Sequence, residues 1–120
     1  MKIAITASKP GKDASVDPRF GRAKWFLLVD TETGESESID NVQNVNAMQG
    51  AGIQAAQTVA SNNAKCVLTG HCGPKAFTTL TAAGIKVVTG VSGPIEKAIE
   101  DFVAGNLQTS GGPDVEGHWV

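Results

Sequence analysis

The chain has 120 residues, about two-fifths of them apolar, which suits one ordinary domain with a single core. A formal net charge of −2 excludes a general polyelectrolyte binder, so nucleic acid is not an expected partner. No apolar run reaches the ~18 residues a membrane-spanning helix needs, and Met1-Lys2 opens directly into a short strand-like segment instead of a signal peptide, so no membrane partner and a cytoplasmic location are expected.

Lys2-Ile-Ala-Ile-Thr6 is a short apolar run before the Gly/Pro/Lys-rich stretch Ser8 to Pro18, the pattern of a buried strand ending in a long loop. Lys24 to Asp30 is apolar on both faces and reads as a second strand. After the turn Thr31-Glu-Thr-Gly34, the polar run Glu35 to Asp40 suits an edge strand closing an antiparallel hairpin. The period then changes. Ile53, Ala56, Val59 and Ala60 lie at helical spacing within Gly50 to Ser61, with the glycine-rich stretch Met48 to Gly52 leading in. Cys66 to Thr69 is a strand, Pro74 to Ala83 a helix ended by Gly84, Ile85 to Thr89 a strand, and Pro94 to Ala104 a helix followed by Gly105. The order β-β-β-α-β-α-β-α predicts an α/β fold with helices on both faces of a mixed five-stranded sheet. Residues 1–107 form the domain in this reading, and residues 108–120, which lack periodicity, a flexible tail.

Charge is distributed unevenly. Residues 1 to 30 hold six Lys or Arg against three Asp, and residues 65 to 90 hold three Lys and no acid. Thr-Gly-His-Cys-Gly-Pro at 69–74 recurs as Thr-Gly-Val-Ser-Gly-Pro at 89–94, each copy between a strand and a helix. Cys72 thus stands where Ser92 stands in the second copy, which predicts a structural, capping role. No turn requirement explains His71. Both turns should lie at the carboxyl edge of parallel strands, where two helix amino termini favour an anion, and Lys75 opposes its own helix dipole there.

Several readings stay open at this stage. His71 and Cys72 suit soft metal or metal-sulfide contact as ligands, or are a loop histidine beside a capping cysteine. Arg19-Phe-Gly-Arg22 with Lys24 binds an anion or pairs with Asp13 and Asp17. Met48 offers a thioether contact, and His118 and Trp119 either fold over the cleft or belong to a disordered tail. A structural zinc site lacks properly spaced ligands, cysteine catalysis lacks a closing arginine, and a nuclease lacks clustered carboxylates.

The stretches "MKIAITAS", "DPRFGRAKWF", "DTETGE", "GAGIQAAQ", "TGHCGPKAF" and "AAGIKVVTGVSGPIEKAIEDF", running from Met1 to about Leu107, together resemble the nitrogenase iron-molybdenum cofactor biosynthesis domain family. The cysteine-bearing "GHCGPKAF" in a single small domain looks most like a branch that holds a molybdenum–copper sulfide cluster, two tetrathiomolybdate-like units bridged by copper, without covalent attachment. The resemblance implies a three-layer α/β/α, ribonuclease-H-like fold, no catalysis, metal-cluster binding and a link to partner ATPases. The matching residues are His71 and the Arg19 to Arg22 loop. The expected cofactor-binding set is Arg19, Phe20, Gly21, Arg22, Lys24, Met48, His71, Cys72, Gly73 and Lys75, with His71 and Cys72 as the metal contacts. Phe20 and Met48 form an apolar wall in this reading, and the carrier is a monomer. The alternative is an interaction domain that docks on a partner ATPase or cofactor-synthesis enzyme and binds no cluster.

Overall fold

The computed structural model describes residues 1–41 and 50–112. The strands are β1 (Lys2–Ala7), β2 (Trp25–Asp30), β3 (Ser36–Asp40), β4 (Cys66–Leu68) and β5 (Lys86–Val88), and the helices are α1 (Ala51–Ser61), α2 (Pro74–Ala82) and α3 (Ile95–Val103). They form one mixed sheet in the order β3-β2-β1-β4-β5, with β1–β2 and β2–β3 antiparallel and β1–β4 and β4–β5 parallel. This is the arrangement expected from the element order. β1 runs one residue further than expected, to Ala7, and the other four strands are shorter by a residue or two at their ends.

Alternation along β1 builds the two faces. Ile3, Ile5 and Ala7 point to one side, with Leu27, Val29, Cys66, Leu68, Val88 and residues of α3. Ala4 points to the other, where Phe26, Leu28, Val67 and Val87 meet α1 and α2. The helices therefore form the outer layers of an α/β/α sandwich. Small residues on α1, Ala55 and Ala56, let it lie close to the sheet beside Val59. Gly84 after α2 and Gly105 after α3 have φ of +77° and +79°, the left-handed C-terminal stop that glycine supplies without steric cost.

Strand β5 is short, and its outer edge is occupied. Leu107 packs on the core, the Ser110 N–H donates to the Val87 carbonyl at 2.7 Å, and the Ser110 and Thr89 hydroxyls lie 2.6 Å apart. The segment expected to be a mobile tail is thus tied to the sheet as far as Ser110. Residues 113–120, including His118 and Trp119, lie outside the described residues, as does Met48. No helix among the described residues is long and apolar enough to cross a membrane.

Candidate functional site

After β1 the chain turns to one side of the sheet to make β2 and later returns to the other side as β4, so the boundary between β1 and β4 is a topological switch point. Ligands of open α/β sheets bind at the carboxyl ends of such strands. At this edge the long first loop and the first Gly-Pro turn are joined by backbone bonds. His71 N–H donates to the Pro18 carbonyl at 2.7 Å, and Phe20 N–H donates to the His71 carbonyl at 3.1 Å. Arg19 and His71, more than fifty positions apart in sequence, are paired as in a parallel ladder.

The floor beneath this junction is a hydroxyl pair. Asp17 N–H donates to the Thr6 carbonyl at 2.9 Å, the Thr6 hydroxyl donates to the Asp17 carbonyl at 2.7 Å, and Thr6 Oγ1 lies 2.9 Å from Thr69 Oγ1. The single Thr6 hydroxyl proton thus faces two acceptors, the Asp17 carbonyl and Thr69 Oγ1. Both threonines are fully buried, and their mutual bonding removes the cost of burying them. A second brace lies at the end of β3, where the buried Asn41 donates its side-chain N–H to the Ala23 carbonyl and its backbone N–H to the Lys24 carbonyl, both at 2.8 Å. The sequence carried only a weak signal for these polar braces, a lone threonine at the end of an apolar strand and an asparagine after a polar one.

The arginine loop and the His71 turn are therefore brought together, and their cations share one edge. Arg19, Lys24 and Lys75 are exposed and Arg22 is half-buried. Asp13 pairs with Lys9 at 3.3 Å, and Asp17 accepts the Arg19 backbone N–H at 3.0 Å through its carboxylate. Among the described residues, no carboxylate lies within ion-pair distance of Arg19, Lys24 or Lys75. Elsewhere in the first loop, Lys12 Nζ donates to the Gly34 carbonyl in the β2–β3 turn at 2.8 Å.

Three expectations change on this geometry. Phe20 is fully buried, its ring 5.6 Å from that of Phe26, so it anchors the loop in the core and presents no wall to a ligand. Cys72 is also fully buried, within the core cluster of Ala76 and Leu80, and neither helix has a side-chain cap bond at its start. The capping role expected for Cys72 and its place as a surface metal contact are not what the fold gives it; its position is that of a small core residue. The amino terminus of α3 is used by the protein itself. Ile95 N–H donates to the Ala14 carbonyl at 3.0 Å, and Val16 N–H donates to the Gly93 carbonyl at 2.9 Å. The amino end of α2 stays at the cradle, where the Lys75 and Ala76 N–H groups have no helical carbonyl to bond.

The repeat diverges for the same reason. In the first copy Cys72 is buried and His71 is half-exposed, whereas in the second Val91 is buried and Ser92 is exposed. Gly90 and Gly93 have φ of +76° and +82°, while Gly73 is extended at −78°. Similar sequences take two backbone paths because the first loop lies against both turns differently. Among the described residues, no three His, Cys, Asp or Glu side chains converge on a point. A groove of about 320 Å³ lined by Ile53, Pro74, Lys75, Thr78 and Thr79 runs beside the α2 amino end. A larger polar depression of about 550 Å³ between the end of β3 and α1 has no cationic lining residue and does not suit an anion.

Comparison with known proteins places this geometry. The family model described as dinitrogenase iron-molybdenum cofactor matches residues 1–105. An uncharacterized protein of Methanocaldococcus jannaschii is 30% identical over 110 residues, covering 90% of each chain. The apo form of the orange protein from Desulfovibrio gigas superposes with a TM-score of 0.93 at 44% identity, over 95% of this chain and 96% of that one. A Thermotoga protein solved by NMR superposes with a TM-score of 0.78 at 31% identity, over 90% and 91% of the two chains. The chain belongs to the dinitrogenase iron-molybdenum cofactor family, and a cofactor-binding accessory role follows from that membership.

Proposed function

We propose that the protein is a non-enzymatic, cytoplasmic, monomeric carrier for an anionic molybdenum-containing metal–sulfur cluster of the molybdenum–copper sulfide type, its cargo held without covalent attachment. The observation that supports this reading is the backbone junction between Pro18–Phe20 and His71, which joins the loop bearing Arg19, Arg22 and Lys24 to the turn bearing His71, Gly73 and Lys75 at the switch point of the sheet. A thiometallate cluster is a polyanion with a soft sulfur surface. Guanidinium and ammonium groups, orphan backbone N–H groups and apolar contact suit it better than a dedicated ligand set does. Arg19, Arg22, Lys24 and Lys75 supply charge, the amino end of α2 supplies N–H donors, and the half-buried His71 supplies an imidazole. Phe20, Gly21 and Cys72 support the cradle from inside the core.

The test is to mix apo protein with tetrathiomolybdate and copper. New visible absorption that requires the folded chain and exceeds a serum-albumin control is the expected result. No binding above that control sinks the carrier reading and leaves docking on a protein partner, such as an ATPase of cofactor assembly, as the role of the same edge.

A further inference from the structure

The two turns of the repeat contain glycine for different physical reasons. Gly90 needs its left-handed φ of +76°, and a Cβ there would meet nothing within 4 Å. Gly70 has no positive φ, yet a Cβ on it would lie 2.7 Å from the Pro18 carbonyl oxygen and 2.8 Å from Pro18 Cα. Those are backbone atoms that no rotamer change can move aside, so a side chain at 70 must push the 17–20 segment off the 69–73 turn. The pushed segment is the one that His71 N–H and Phe20 N–H bond across the gap, and its far side is held by Thr6 at Asp17.

We infer that Gly70 is a positioning residue of the anion cradle: its missing side chain sets the spacing between the Arg19–Lys24 cations and the His71–Lys75 half. The inference rests on the carrier reading, because a cradle requires a cargo. Gly70 touches no ligand; it acts through the Pro18–Phe20 backbone. Two halves held at fixed spacing bind a polyanion without first ordering a 17-residue loop, Ser8 to Lys24, and displacement of one half removes that preorganisation.

The experiment compares the full chain with its Gly70→Ala variant, using tetrathiomolybdate alone as the probe and amide hydrogen exchange as the second readout. The expected variant unfolds cooperatively, keeps the Ile5 and Leu68 amides protected, exposes the Phe20 and His71 amides to exchange, and loses about tenfold or more in probe affinity. Unchanged affinity with those two amides newly exposed overturns the inference, and so does unchanged exchange. Failure of the unaltered chain to bind the probe defeats the carrier reading and this inference together, whereas binding by the unaltered chain with equal binding by Gly70→Ala defeats the inference alone. If Gly70→Ala does not fold, Thr6→Val loosens the other anchor of the same segment; several-fold weaker probe binding is then expected, and equal binding overturns the inference.

Discussion

Replacement of Phe20 tests whether its ring belongs to the core or to the cargo. The ring is fully buried and lies 5.6 Å from Phe26 at an interplanar angle of 45°, within the cluster shared by α1 and α2. Phe20→Ala removes the six ring carbons from a site whose neighbours are strands and helices, and large-to-small changes of this kind cost about 3–5 kcal/mol. Of that, the aromatic pair accounts for roughly 0.5–1.5 kcal/mol. Domains of this size have a total stability of about 5–15 kcal/mol, so the variant is expected to stay folded with a much lower urea midpoint. With a urea slope of about 1–3 kcal/mol/M, the midpoint drops by about 2 M at unchanged slope. Phe20→Leu fills most of the space and costs about 1–1.5 kcal/mol. The assay is urea denaturation of all three proteins, followed by tetrathiomolybdate titration of the folded Leu variant, whose affinity stays within about twofold of the unaltered chain. A loss below about 1 kcal/mol for Phe20→Ala refutes the core assignment. A tenfold loss of probe affinity in a stable Phe20→Leu returns the ring to the cradle wall.

Burial pushes the Cys66 thiol up to about 11, against the opposing pull of the Val67 backbone and Lys86. An unfolded chain releases that proton near pH ~9, so between the two values the folded state binds more protons and stability falls as pH rises. The fall from pH 8 to 11 is on the order of 2–3 kcal/mol; urea midpoints of Cys66→Ala should be flatter over that range, and parallel profiles contradict the assignment. Cys72→Ser places a hydroxyl in a fully buried core position and is expected to cost about 1–3 kcal/mol while leaving probe affinity per folded molecule unchanged. Loss of binding at retained stability, read by calorimetry, restores the thiol as a ligand. Charge reversal at Arg19 or Lys75 weakens tetrathiomolybdate binding by about 5–30-fold at low salt, an effect that shrinks toward 0.5 M salt. A salt-independent loss in the same titration contradicts an electrostatic cradle.

Much of this molecule is legible in the chain. The change from period two to helical spacing after Asn41, the Gly-Pro starts and the Gly84 and Gly105 stops gave every described strand and helix and their order, because these are local demands of backbone geometry and amphipathic burial. Right-handed strand–helix–strand crossovers then constrained the sheet. The excess of cations in the first loop and around Lys75 was equally plain in composition.

The tertiary structure decided which of those cations meet. The pairing of Arg19 with His71 joins an aperiodic loop to a turn far along the chain, and no local pattern encodes such a bond. Burial also separated residues that look alike in sequence. Phe20 and Cys72, flanked by polar and basic neighbours, turn inward, while the repeat partner of Cys72, Ser92, turns out. The first loop meets the two turns at different points: the Pro18 backbone lies against Gly70, whereas Gly90 faces open space and the loop bonds the second turn further on, through Val16 to Gly93 and Ala14 to Ile95.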